Sequence, residues 1–105
     1  MLDLSLAASS KELPSMLIFR GKVKNHDVDI LVDSGACGNF ISQDLVHRAK
    51  ILTRPLKNRQ KITLADGTLH TITDEAARLF CQIQEYSERL DLEVAPLRGH
   101  DIILG

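Results

Sequence analysis

Ile30-Leu31-Val32-Asp33-Ser34-Gly35-Ala36 decides the fold of this chain. Three consecutive apolar β-formers end on a carboxylate, a hydroxyl and a glycine. An unbroken apolar run of strand length indicates a strand buried on both faces. Asp-Ser-Gly at its end reads as a tight turn, and Gly35 lets other backbone approach with no Cβ in the way. A second string, Asp101-Ile102-Ile103-Leu104-Gly105, answers the first near the end of the chain. Between them lies Ala65-Asp66-Gly67-Thr68, where Asp-Gly is a two-residue hairpin signal.

The segments around these strings read mostly as strands. Residues 16–24 carry Leu17, Phe19 and Val23 among β-formers, and Asn25-His26-Asp27 turns the chain into the strand over 28–33. Asn39-Phe40-Ile41 continues as a strand that buries Phe40. Ser42 is placed to cap a helix that ends near Lys50, with Asp44 in its first turn and Leu45, Val46 and Ala49 as its apolar stripe. Residues 59–65 alternate through Ile62 and Leu64, and 68–73 return with Leu69 and Ile72 inward. Leu79, Cys81 and Ile83 share one face of a strand over 76–84. A turn is expected at 86–88, then Leu90, Leu92 and Val94 line a strand that Pro96 stops. Residues 1–15 read as a lead-in segment with a short strand at 2–6, and 16–105 as the domain. The pattern is all-β with one short helix, a small closed barrel or sandwich.

Composition narrows the function. A chain of 105 residues is one domain. At this size about 60–65% of the unfolded surface is buried, so the core is modest and a dimer would enlarge it. Thirteen basic and 14 acidic residues leave a net charge of −1, which gives no overall attraction for nucleic acid or anionic membrane. The basic cluster at 57–61 is interrupted by Asn58 and Gln60 and has no interleaved aromatics, so it reads as a solvated loop face. No apolar stretch approaches the ~20 residues of a membrane span, and residues 1–9 lack the form of a signal peptide. Cys37 and Cys81 sit in no metal spacing and suit a reducing compartment. The four histidines are scattered, with no HExxH pattern. No cofactor or metal is expected, and the location expected is cytoplasmic, or within virus-like particles.

The two strings in this order, with an Ala-Asp-Gly hairpin between them, resemble the retropepsin family, the aspartic proteases of retroviruses and LTR retrotransposons. The wider string DILVDSGACGNFIS, with HDIILG at the end, looks most like the gypsy-type branch and its domesticated cellular relatives. The resemblance covers roughly residues 16–105. It implies a retropepsin-like barrel with one lobe per chain and Asp33 as the catalytic carboxylate. Peptide hydrolysis by water needs one group to take the water proton and another to protonate the carbonyl oxygen. Two carboxylates close together cannot both ionise, and sharing one proton they do both jobs; the aspartic-protease pair is the standard instance. This chain holds one such Asp, so a C2 homodimer must supply the second. The resemblance gives Ser34 a bond to the partner's loop and makes Ile103, Leu104 and Gly105 the brace of the Asp33 turn. The Gly35 amide can bond the carboxylate, and Ala36 is small enough to lie beneath substrate. Ala65, Asp66, Gly67 and Thr68 would form the flap that closes over a peptide. Asp101 matches an acidic residue of the family and is given a structural role, through bonds to nearby backbone or a basic side chain.

The function expected is cleavage of a retroelement polyprotein by the homodimer. The alternative is a catalytically silent domain of the same fold that binds peptide or mediates association. A shuttle-type protease of the ubiquitin pathway shares the fold, but no ubiquitin-like segment lies in these 105 residues. A nucleophilic Cys37 would need a histidine base, and no cysteine-protease motif surrounds it; packing is the expected role of both cysteines. Asp44 and Asp74 lack the flanking pattern, and Asp66 sits on a mobile tip. In the family a helix and a strand follow Ile-Leu-Gly and often build the dimer interface. These 105 residues stop at Gly105, so a weak dimer or a monomer is expected of them. Stronger association is expected with ~10–25 further residues, enough for a helix and a strand.

Overall fold

The computed structural model describes residues 16–64 and 66–105. The lead-in, the strand expected at 2–6 and Ala65 lie outside the described residues. β1 (Met16–Val23) and β2 (His26–Asp33) form a hairpin in continuous register, from Met16 opposite Asp33 to Val23 opposite His26. Its loop is Lys24-Asn25, both at positive φ (49° and 66°), and such a primed turn matches the twist of the strands it joins. The turn expected at 25–27 is therefore one residue early, since His26 and Asp27 already pair.

β3 (Phe40–Ser42) runs directly into α1 (Gln43–Arg48). Ser42 Oγ accepts the Leu45 amide at 2.9 Å, the expected N-cap bond. Asp44 in the first turn and His47 and Arg48 in the last complement the helix dipole. Leu45 and Ala49 are buried and Val46 packs beside them.

β4 (Arg54–Thr63), β5 (Leu69–Ile83), β6 (Tyr86–Ala95) and β7 (Ile102–Leu104) complete one seven-stranded sheet in the order β1-β2-β7-β3-β6-β5-β4. β1 also pairs with β5, through Gly21–Ile83 and Lys22–Gln82, which closes every strand but β4 into a ring. β4 hangs from the first half of β5 and forms a hairpin arm. A Cβ on Gly21 would collide with the Gln82 carbonyl oxygen and stand 2.9 Å from Ile30 Cδ1, so closure needs glycine there.

Two apolar clusters follow from this layout. The larger contains Val23, Val28, Ile30, Ile41, Leu45, Cys81, Ile83, Leu92, Ile102 and Leu104 and fills the ring. The smaller joins Phe40, Ile62, Ile72 and Ala95 under the β4–β5 arm, with Leu56, Leu64, Leu97 and Ile103 against it. Ile30 and Leu31 are both buried on an interior strand, between β1 and β7, as an unbroken apolar run requires.

Several expected boundaries move. The strands read at 68–73 and 76–84 are one strand, β5, because Asp74 and Glu75 stay paired with Pro55 and Arg54. The irregularity is a bulge between Ala76 and Leu79, where Arg78 takes φ 51° and gives its amide to Asp91 Oδ1 at 2.7 Å. The turn expected at 86–88 is Gln84-Glu85, with Ile83 opposite Tyr86. The strand expected from 59 begins at Arg54. Leu69, expected inward, is 64% exposed, because the hairpin arm is uncovered on that side. Substituting Gly21→Ala should lower stability by about 1–3 kcal/mol, the usual cost of overpacking, read as a shift in the denaturant midpoint.

Candidate active site

β2 ends on Asp33, where the chain enters a tight turn. Asp33 Oδ1 accepts the Gly35 amide at 2.9 Å, and its carbonyl accepts the Ala36 amide at 3.0 Å. The carboxylate is thus fixed by the turn that presents it, and Asp33 is only half-buried while Ser34 is exposed. Gly35 has room for no more than a tight Cβ, 3.3 Å from Asp33 Oδ1.

The second string reaches this turn from below. β7 pairs parallel with β2, setting Ile30, Leu31 and Val32 opposite Ile102, Ile103 and Leu104. Gly105 then lies under the loop that follows Asp33. Its amide donates to Asn39 Oδ1 at 3.0 Å, and a Cβ on it would stand 2.6 Å from the Ala36 carbonyl oxygen and 2.9 Å from that of Gly38. Ile103 faces the smaller apolar cluster and Leu104 the larger. Asp33, Ser34, Gly35 and Ala36 therefore share one locus with Ile103, Leu104 and Gly105.

Asp101 anchors the base of β7. Its Oδ2 accepts the Asp29 amide at 2.9 Å, its Oδ1 meets Arg48 Nη2 at 3.1 Å, and its own amide donates to the Asp29 carbonyl at 3.1 Å. Both kinds of structural bond expected of it, to backbone and to a basic side chain, are present.

At the other end of the arm, the expected two-residue loop is longer. The Gly67 amide donates to the Leu64 carbonyl at 2.9 Å, and the Leu64 amide to the Thr68 carbonyl at 2.9 Å. Gly67 takes φ 84°, as a three-residue hairpin with a terminal left-handed residue demands. Asp66 Oδ1 accepts both the Thr68 amide at 2.9 Å and the Thr68 hydroxyl at 2.6 Å. The Thr68 hydroxyl is also 2.7 Å from His70 Nε2. The Thr68 hydroxyl and amide hold the Asp66 carboxyl below the usual carboxylate range, with the charges of His70 and Arg98 adding to this. Asp66 is a turn residue. Ile62 and Ile72 tie the arm to the cluster that holds Phe40 and Ile103, so the hairpin is anchored beside the Asp33 locus. Asp66, Gly67 and Thr68 lie at its tip.

Cys37 is exposed and Cys81 buried, and both are free. Burial pushes the Cys81 thiol up to about 11. His70 is engaged at the hairpin tip, and His100 Nδ1 lies 3.3 Å from Asp29 Oδ2. Among the described residues, no group of three or more His, Cys, Asp or Glu side chains is placed to hold a metal ion, and no helix is long and apolar enough to cross a membrane.

Two residues of this locus carried no sequence signal. Asn39 meets Gly105 from 66 positions away. Glu93 gives its amide to the Asn39 carbonyl at 2.9 Å, and a Cβ on Gly38 would stand 3.4 Å from its Oε2. Its Oε1 is buried with no hydrogen-bond partner among the described residues. Burial, and then the charge of Glu75, raises the Glu93 carboxyl above the ordinary glutamate range.

A single strand ring with an Asp-Ser-Gly turn braced by an apolar-apolar-Gly strand, and a hairpin arm beside it, defines a retropepsin-like lobe. The chain belongs to the PEG10/RTL1 protease domain family, whose model matches residues 29–105. Its fold is similar to the retroviral protease-like domain of Ddi1 from Leishmania major. That structure has 18% identity and a TM-score of 0.66, with 89% of this chain and 74% of that one covered. It is also similar to protein Lpg0085 of Legionella pneumophila, of unknown function, at 10% identity and TM-score 0.51, covering 84% of this chain and 79% of that one. At these identities the two structures speak for the fold alone. No curated protein matches the chain.

Two outcomes follow from this geometry. Gly105→Ala should push the loop off its brace, costing about 1–3 kcal/mol and shifting the Ala36 and Gly38 amide resonances. For Glu93 the raised pKa favours the neutral carboxyl in the folded state. Its stabilising contribution is present below the unfolded value of about 4.3 and is lost as pH rises through the folded one. Melting temperatures of the wild type and Glu93→Gln, measured across this range, should therefore diverge as pH rises, with the variant the more stable.

Proposed function

We propose that the domain is an aspartic endopeptidase that works as a C2 homodimer, each chain giving Asp33 to a shared water-activating pair. The observation that carries this reading is the Asp33 turn itself. Its carboxylate is fixed by the Gly35 amide and its loop is seated on a Gly105 that tolerates no Cβ, while the sequence holds one Asp-Ser-Gly string. One carboxylate can take a proton from water but cannot also protonate the substrate carbonyl. Two of them meeting on a two-fold axis supply both roles with one shared proton. Ser34, exposed beside Asp33, reaches across to the partner's loop. Ala36 lies beneath the substrate, Ile103, Leu104 and Gly105 hold the turn, and the hairpin tip with Ala65, Asp66, Gly67 and Thr68 closes over the peptide and excludes water. Membership of a protease-domain family and the resemblance to the gypsy-type branch support a retroelement polyprotein as the substrate. Two free thiols agree with a reducing, intracellular setting. In this reading the lobe covers residues 16–105, with 1–15 as its lead-in.

The test is cleavage of a peptide library by the wild type and Asp33→Asn, with folding checked by circular dichroism. Cleavage should be abolished in the variant, since a positioned acid or base is worth about 10²–10⁴ each. Specific activity should also fall on dilution below the dimer dissociation constant, and compounds whose hydroxyl mimics the tetrahedral intermediate should inhibit. The rate should pass through an acidic to near-neutral maximum set by the pair as a whole. Near-normal turnover by folded Asp33→Asn, or full activity from a strict monomer, would sink the shared-site mechanism. Peptide binding without turnover would instead favour the silent-domain alternative.

A further inference from the structure

Among the described residues β4 pairs with β5 alone, so its far side is an open sheet edge. Expected as part of a loop face, Lys57, Arg59 and Lys61 instead belong to this strand. The charge of the chain is segregated there. Six of its 13 basic residues and none of its 14 acidic ones fall within 45–65. The rest of the chain holds seven basic residues against 14 acidic ones, so the near-neutral total hides a cationic segment. Arg48 is answered by Asp44 and Asp101, and Arg54 by Glu75. Among the described residues, Lys57, Arg59 and Lys61 join no ion pair, and all three are exposed.

The edge is also shaped. Pro55 stands opposite Asp74 and Gln60 opposite Ile72, so four residues, Leu56 to Arg59, span the place of Thr73 alone. The surplus bends the strand, and an open cleft of about 490 Å³ lies there, its lining including Pro55, Leu56, Lys57, Asn58 and Gln60. Leu56 is half-buried against the smaller apolar cluster and gives the cleft an apolar floor. Lys57 adds a cation, and Asn58 and Gln60 add amide donors. Beyond the cleft the edge is regular. The Leu64 amide bonds inward to the Thr68 carbonyl, and an antiparallel ladder bonds to one neighbour through alternate residues only. Lys61 and Thr63 therefore turn their backbone donors and acceptors outward, where an extended peptide can pair with them. Lysines on an open edge deter pairing with a like strand, but a strand of opposite charge meets attraction instead. No Phe, Tyr or Trp lies within 45–65, so the segment lacks a platform on which nucleic-acid bases stack.

We propose that β4 is a docking edge for an extended acidic segment of another polypeptide. The segment pairs with the strand at Lys61 and Thr63, sets its carboxylates against Lys57, Arg59 and Lys61, and lays one apolar side chain on Leu56 in the cleft. The probe is a fluorescein-labelled peptide of ten residues, the length of β4, alternating Glu with Thr around one central Leu. Its counterparts carry Gln for every Glu, or Ser for the Leu. Binding is measured by fluorescence anisotropy on Asp33→Asn protein, so that cleavage does not intervene, and amide resonances locate the peptide. The Glu peptide should bind about 10-fold more tightly than the Gln peptide, as several opposite-charge cross-strand pairs act together. That margin should shrink as salt is added. The Ser peptide should bind several-fold more weakly, having lost its apolar anchor. Combining Lys57→Gln, Arg59→Gln and Lys61→Gln should remove the margin and leave the melting temperature unchanged, since all three side chains are exposed. Amide resonances should move over 54–63 and stay fixed at Ser34, Gly35 and Ala36, a mapping that needs no variant of β4. The proposal is overturned if no peptide binds, if the Gln or the Ser peptide binds as well as the first, if the margin survives in the folded triple variant, or if the shifts fall on the Asp33 loop. It is also overturned if an oligothymidylate of equal charge binds as tightly and moves the same amides, which would make β4 a general polyanion surface. None of these results bears on the cleavage assay, because docking at β4 uses no group of the Asp33 locus.

Discussion

Asp101 is the constraint on which the architecture turns. Four bonds, to three residues of β2 and the β3–α1 segment, meet at this one residue. Its carboxylate takes the Asp29 amide in the middle of β2 and the Arg48 guanidinium at the end of the helix. Its amide returns a bond to Asp29, and its carbonyl accepts the Ser42 amide at 2.8 Å, where β3 becomes α1. These bonds fix where β7 enters the sheet. A strand of three residues has little ladder of its own, and here it is flanked by β2 in parallel and β3 antiparallel. Once its base is pinned, its register is set, and so is the position of Gly105 beneath the Asp33 loop. The geometry of the carboxylate is thus decided at the opposite end of the strand that presents it.

β5 shows how a small domain gains a projecting arm from one long element. Its second half is part of the ring, pairing with β6 and β1, while its first half leaves the ring with β4 as the hairpin arm. The bulge at 76–79 marks the change between the two, since an extra residue bends a strand and increases its twist. Rigid ring and projecting arm share a backbone, and the smaller apolar cluster fills the angle between them. The tip is held by local bonds, those among Asp66, Thr68 and His70 and the backbone bonds of Leu64 with Gly67 and Thr68.

The fold and the Asp33 locus were largely legible because they rest on short-range patterns: an apolar run, a Ser-Gly turn, an Asp-Gly hairpin and a Ser cap. Each is a local preference that agrees with the global structure. The errors have a common cause. Asp74-Glu75 and Tyr86-Ser87-Glu88 look like breaks in composition, but ladder pairing, with β4 for the first pair and with the end of β5 for the second group, keeps them extended. Arg78 and Gln84 adopt positive φ although neither residue type announces it, because the bulge and the tight loop impose the angle. Leu69 was read inward from alternation, which says which residues share a face but not whether anything covers it. Asn39 and Glu93 were invisible for a stronger reason. Their importance lies in contacts with Gly105 and Gly38, and nothing in their neighbouring residues specifies such contacts.

The pairing of β2 with β7 also orders events in time. The Asp29–Asp101 bond spans 72 positions, so β2 is made well before its brace. Non-local contacts of this length must close a large loop before they stabilise anything, which slows folding. During synthesis Asp33 leaves the ribosome well before Asp101 and Gly105, and its loop has nothing to rest on until they follow. A locus assembled in this order stays unformed on the nascent chain, and its maturation is coupled to completion of the whole lobe.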